Sequence, residues 1–305
     1  MFMKALVTGA TGFVGPRLLR LLDRPIVVSR NPDRARATVG HLADRIVRWD
    51  PMEGPPPAEA FEGVDAVLHL AGESVAEGRW TAAQKNRIRD SRILGTRHLV
   101  QGIAQTARKP AVLVSASAVG YYGDRGDEEL TESARPADDF LARVCVDWER
   151  EALAAGKAGV RVVTARTGIV LGAGGGALAK MLTPFKLGGG GPLGNGRQWM
   201  PWIHVADLAR LYVHAAETAS IQGAMNAVAP HPVRNIEFTK ALGRALHRPA
   251  FIPAPYFGLR LLFGEFAQVL FASQRVIPRV ALDTGFVFQF PEIAAALREI
   301  LDAAA

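Results

Sequence analysis

Short apolar runs recur along the chain at intervals of about one helix length. They are Lys4-Ala-Leu-Val, Ile26-Val-Val-Ser, Arg45-Ile-Val-Arg-Trp, Val64 to Leu70, Ala111 to Ser115, Val160 to Ala165 and Gly223 to Ala229. Between them the apolar spacing becomes helical. It predicts helices over Phe13 to Leu22, Ala82 to Thr106 with Thr81 as N-cap, Ala137 to Ala155, from the glycine-rich stretch at Gly172 to about Phe185, and Leu208 to Glu217. Buried strands alternating with helices specify an α/β fold, a doubly wound parallel sheet whose ligands lie at the carboxyl ends of its strands.

The turn after the first run carries the sharpest chemistry. Thr8-Gly-Ala-Thr-Gly-Phe-Val-Gly15 sits between a strand and a helix. Gly9 suits the tight turn, Gly12 lets backbone approach a pyrophosphate, and Gly15 lets the helix pack close on the strand. Thr11, Phe13 and Val14 belong to the same cradle. A dinucleotide is the expected ligand, in the manner of a Rossmann fold. An acidic residue at the end of the second strand would hold the ribose 2′-hydroxyl of NAD, but the chain reads Ser29-Arg30 there, followed by Arg34 and Arg36. Guanidinium groups suit a 2′-phosphate, so NADP is expected over NAD. The competing possibility is a solvated basic loop, with Asp33 lying among the arginines.

With 305 residues, 49% of them hydrophobic, the chain can hold a large dinucleotide-binding domain over 1–230 and a smaller C-terminal substrate-side domain over 231–305. Residues 166–204 contribute to the substrate side. Proline-punctuated segments between tail helices at Ile236 to Leu246 and Ile293 to Ala303 are expected to pack over the cofactor face. The loop Glu53-Gly-Pro-Pro-Pro-Ala reads as a surface excursion. A second glycine-rich loop, Gly188 to Gly191, is either a lid or an ordinary turn.

No run approaches a membrane span, and Met1-Phe-Met-Lys leads directly into the first strand without room for a signal peptide, so a cytoplasmic protein is expected. The single cysteine, Cys145, excludes an intrachain disulfide framework and a cysteine-clustered metal site. The net charge of +7 is scattered rather than blocked, which points to anionic small ligands and away from nucleic acid.

Several further motifs together resemble the extended short-chain dehydrogenase/reductase superfamily. They are His69-Leu-Ala-Gly72, Gly95-Thr96, Ser115-Ala-Ser-Ala-Val-Gly-Tyr-Tyr-Gly123 and Ile203-His-Val-Ala-Asp207. Glu73, Arg79-Trp-Thr81, Ser91-Arg92, Trp148-Glu149, Gln198-Trp199 and Leu262-Phe-Gly-Glu265 are similar to an atypical subgroup of epimerase-family oxidoreductases with a small C-terminal domain. The resemblance implies cofactor contacts from Leu70, Ala71, Gly72, Ser115 and Arg92. It implies a serine at Ser117 that orients the substrate, and substrate contacts from Glu73, Arg166, Gln198, Trp199 and His204.

It also implies a Tyr-x-x-x-Lys pair for proton transfer, which this chain lacks. Aligning Glu149 with the glutamate four residues beyond the lysine puts Leu141 at the tyrosine position and Cys145 at the lysine position. Leucine cannot move a proton. The remaining candidates for the acid are Cys145 with Arg92 as its cation, Tyr121, Tyr122 or water. Each has a plain structural alternative: a small buried thiol, packing aromatics, a strand-end hydroxyl at Ser117, a surface salt bridge at Arg166, and a helix-start histidine at His204. The implied function is an NADP-dependent oxidoreductase or epimerase-like enzyme acting on a small polar substrate. The alternative is an NADP(H)-sensing protein. A homodimer through the two long helices fits the resemblance.

Overall fold

A computed structural model describes residues 3–303. Met1 and Phe2 of the leading segment lie outside the described residues. A parallel sheet organises the chain, with strands β1 (Ala5–Thr8), β2 (Ile26–Ser29), β3 (Arg45–Arg48), β4 (Ala66–His69), β5 (Val112–Ala118), β6 (Arg161–Thr167) and β7 (Gly223–Ala227). Their spatial order is β7-β6-β5-β4-β1-β2-β3, which places the chain reversal between β1 and β4. Ligand clefts in open α/β sheets form at such reversals.

Helices cover both faces. The first two are α1 (Gly15–Leu19) and α2 (Pro32–Val39), followed by the long α3 (Ala82–Gln105) and α4 (Phe140–Leu153), then α5 (Gly176–Lys186) and α6 (Val205–Glu217). Alternate strand residues serve opposite layers. Ala5, Val7, Val112, Val114, Val163 and Ala165 pack with Leu18, Leu19, Leu208 and Leu211 from α1 and α6. Leu6, Leu113 and Val162 pack with Leu99 and Ile103 of α3 and Ala152 of α4.

The helix bounds differ from expectation where caps decide them. Thr81 caps α3 as expected, its hydroxyl accepting from Gln84 N at 3.2 Å. The Ala137–Ala155 helix instead begins at Phe140, because Asp139 accepts from Ala142 N at 2.9 Å. Its last residues tighten into a 3-10 turn over Ala154–Ala158. The helix expected from Leu208 begins at Val205, and the one expected over Phe13 to Leu22 is confined to Gly15–Leu19.

Beyond β7 lie α7 (Asn235–Leu246), α8 (Tyr256–Phe263), α9 (Ala267–Phe271), α10 (Arg279–Asp283) and α11 (Ile293–Asp302). Helices α7 and α11 share a core with Trp202, Leu171 and Phe185. The α8 to α9 segment reaches the start of α3: Arg79 donates to the Leu261 carbonyl, Lys85 pairs with Glu265, and Trp80 stacks on Phe266. Both glycine-rich loops are held in place. Phe13 packs against the backbone of Gly172, Gly175 and Gly176. The Gly188 to Gly191 loop is pinned by Ile252 N donating to the Gly190 carbonyl at 3.2 Å. No helix among the described residues is long and apolar enough to cross a membrane.

Candidate functional site

A cleft of about 520 Å³ opens at the carboxyl ends of β1, β2 and β4. Its floor is the turn Thr8 to Gly12. Gly9 has φ +67°, and a Cβ there would lie 2.8 Å from Ala71 N, so the β1 and β4 turns meet backbone to backbone. Gly15 is required by the turn itself more than by the strand, since its Cβ would collide with the Ala10 carbonyl.

Leu70, Ala71, Gly72 and Glu73 form one wall, and Ser29, Arg30 and Arg34 form the mouth beside β2. Asp33 does not neutralise that mouth: it pairs with Arg36 at 2.6 Å. Arg30 and Arg34 join no ion pair among the described residues. Trp49, Pro51 and Met52, just past β3, add an apolar wall that the sequence reading missed, although the end of β3 was the place to look for one. Phe13 and Val14 are not on the cleft surface. Phe13 faces the Gly172–Gly176 segment and Val14 begins α1.

A buried polar chain holds the β4 turn. Ala71 N donates to Thr8 Oγ1 at 3.1 Å, Thr8 Oγ1 lies 2.7 Å from His69 Nδ1, His69 Nε2 lies 2.9 Å from Thr96 Oγ1, and Trp148 Nε1 donates to that same oxygen at 2.8 Å. Burial pushes His69 down to about 4, so the ring is neutral at pH 7. Neighbouring Ser115 is fully buried and bonds back to its own strand.

Ser117 follows the parity of Leu113 and Ser115, which turns it toward α4. There its hydroxyl donates to Glu149 Oε1 at 2.6 Å. Arg166, on the matching face of β6, clasps the same carboxylate with Nε and Nη2 at 2.8 and 2.9 Å. Arg166 is therefore buried and lies neither at a substrate entrance nor in a surface salt bridge. Its burial works to lower its pKa, but hydrogen bonds and charge from Glu149 and Tyr122 outweigh burial and hold it above its ordinary value. Arg166 Nη1 also donates to Tyr122 Oη at 3.0 Å, and that hydroxyl donates to Asn226 Oδ1 at 2.6 Å. Tyr121 stacks on the Arg166 guanidinium, 3.5 Å from ring centroid to carbon.

Cys145 sits at the lysine position on α4, beside the Val119–Tyr122 turn. A Cβ on Gly120 would lie 3.3 Å from Leu141 Cβ and 4.0 Å from Cys145 Sγ. Burial and the Glu149 charge push its thiol up to about 12, against the opposing pull of Arg92. Burial likewise raises Tyr122 to about 12, with Arg166 opposing. Neither group is poised to exchange a proton near neutral pH.

Of the expected substrate residues, Glu73 lines the cleft and the others tie segments together. Gln198 donates to the Leu193 carbonyl, and Trp199 donates to Asp127 while lying between Arg234 and Arg275. His204 is the N-cap of α6. Its Nδ1 accepts from Ala206 N at 3.2 Å, which leaves the proton on Nε2 to face Glu299 Oε2 of α11 at 2.9 Å. Asp207, beyond serving the helix start, accepts from Gln289 N and Phe290 N. These clasps fix the C-terminal segments to the sheet.

The family model for the NAD dependent epimerase/dehydratase family matches residues 5–227, and that for a domain of unknown function, DUF1731, matches residues 254–300. The chain is 39% identical to the bovine epimerase family protein SDR39U1 over 98% of its length and 100% of the relative's. It is 38% identical to the epimerase family protein YfhF of Bacillus subtilis, covering 98% of each. The crystal structure of human epimerase family protein SDR39U1 with NADPH superposes with a TM-score of 0.88 at 37% identity, covering 98% of this chain and 99% of that one. With its glycine turn, its β1/β4 cleft and a match over most of its length, the chain belongs to the NAD-dependent epimerase/dehydratase family.

Proposed function

We propose that this protein binds NADP(H) and works as an NADP-dependent oxidoreductase or epimerase-like enzyme on a small polar substrate. The observation that carries the cofactor assignment is the cleft mouth, where Arg30 and Arg34 have no carboxylate partner among the described residues and Ser29 replaces an acid at the end of β2. Two guanidinium groups there suit a 2′-phosphate. The glycine floor lets backbone N–H groups approach a pyrophosphate, and the Trp49–Met52 wall suits a flat ring. The human relative, solved with NADPH, supports the same reading. When bound, the nicotinamide would supply the hydride.

The protein's own contribution to proton movement is unusual. Cys145 and Tyr122 hold their protons too tightly, and Leu141 has none to give. Tyr121 and water remain as donors. Ser117 has committed its proton to Glu149, so toward a substrate it would act as an acceptor.

The second reading, an NADP(H) sensor without turnover, is favoured by that same closed network of Ser117, Glu149, Arg166, Tyr122 and Asn226. A screen of NADPH oxidation against small carbonyl compounds separates the two. Turnover by the native protein establishes the enzyme. No turnover by the native protein, with activity gained in Leu141→Tyr/Cys145→Lys, establishes the sensor.

A further inference from the structure

Arg92 projects from α3 toward the wall of the cleft. Its guanidinium packs against two groups: the Trp148 indole, 5.1 Å from ring centroid to carbon, and the backbone of Gly72, where a Cβ would come within 3.3 Å of the guanidinium carbon. A side chain at position 72 would press on the guanidinium and push it aside by a few tenths of an ångström. The packing fixes the orientation of the planar group before any ligand arrives, which limits the entropy lost on binding.

Its hydrogen bonding is incomplete. Nη1 donates to the Ile88 carbonyl at 3.0 Å, one helical turn back. No carboxylate pairs with Arg92 among the described residues; Glu73 is near enough to act on it through charge, yet does not bond to it. A guanidinium has five N–H donors, and the donors of Arg92 not used on Ile88 are not buried, so they stay open to solvent or to a ligand. Gly72, Glu73 and Ser91, which flank it, all line the cleft.

We infer that Arg92 is a preorganised oxyanion-recognition group at the inner end of the cleft, next to the lining residues Gly72, Glu73 and Ser91, presenting its free N–H donors to an anionic oxygen of a bound ligand. Two sources share that chemistry: a phosphate oxygen of the dinucleotide, or a carboxylate of the substrate. The first source rests on the function proposed above, and the second does not.

The test compares the native protein, Arg92→Met and Arg92→Lys in two titrations: NADPH by fluorescence, and oxalate by calorimetry with and without NADPH. A charge-assisted fork corresponds to about a tenfold to hundredfold loss on its removal. A loss of that size for NADPH alone assigns Arg92 to the cofactor, and a loss for oxalate alone assigns it to the substrate. Arg92→Lys keeps the charge without the planar fork and should recover part of the loss. It also decides the matter should Arg92→Met fail to fold, since native-like binding of both ligands by the lysine variant overturns the fork. If the native protein binds no NADPH, the proposed cofactor fails, and oxalate still decides Arg92. Native-like affinities in both titrations for Arg92→Met, or no oxalate binding by a native protein whose NADPH affinity ignores Arg92, overturn the inference.

Discussion

Ser117 donates its single hydroxyl proton to Glu149, 2.6 Å away and 32 residues along the chain. The carboxylate is at the same time clasped by Arg166, so the serine is tied to a buried ion pair and is not a free donor at the strand end. Removing each member should therefore have a different cost. Ser117→Ala deletes one hydrogen bond to a charged group and should destabilise by about 1–3 kcal/mol, with NADPH affinity nearly unchanged. Glu149→Leu strands the Arg166 cation in the interior and should cost about 3–5 kcal/mol. Urea unfolding measures both. Equal small losses would mean that the pair contributes little and that Glu149 does not anchor the network.

The His69 chain gives stability a pH dependence of known sign. The ring's pKa is held near 4 in the folded protein, against 6.5 when exposed, so between those values the unfolded chain binds more protons. The contribution is fully present above pH 6.5 and is lost as pH falls from 6.5 toward 4, by roughly 3 kcal/mol in all. His69→Gln should flatten unfolding free energy across that window. A variant whose pH profile matches the native one would show that other groups set the slope.

Cys145 should be inert. With the thiol pushed up to about 12 by burial and the Glu149 charge, little thiolate exists at pH 8. Iodoacetamide should label the native protein far more slowly than the urea-unfolded chain. Labelling of the folded protein at the rate of a free thiol would restore Cys145 as a candidate acid.

Much of this architecture is legible in the residues. The seven apolar runs locate the strands, Thr81 marks the start of α3, and the glycine turn with Ser29-Arg30 marks the cleft. The direction in which strand-end side chains point is not legible in the same way. Strands β5 and β6 are covered by helices on both faces, so an apolar run carries no polar face to set its orientation. Ser117 and Arg166 therefore read as site residues, while their shared partner Glu149 read only as an alignment mark. Trp199 and His204 serve a different purpose: they clasp a loop and a helix contributed by distant segments, which spacing along the chain does not reveal, while Gln198 closes its own loop on the Leu193 carbonyl.

The central claim is that the cleft mouth is built for a 2′-phosphate, and calorimetric titration of NADPH and NADH into the native protein and Arg30→Ala tests it most directly. The native protein should bind NADPH more tightly than NADH by about tenfold or more, and Arg30→Ala should lose most of that preference through weaker NADPH binding alone. Equal affinities of the native protein for the two cofactors would contradict it.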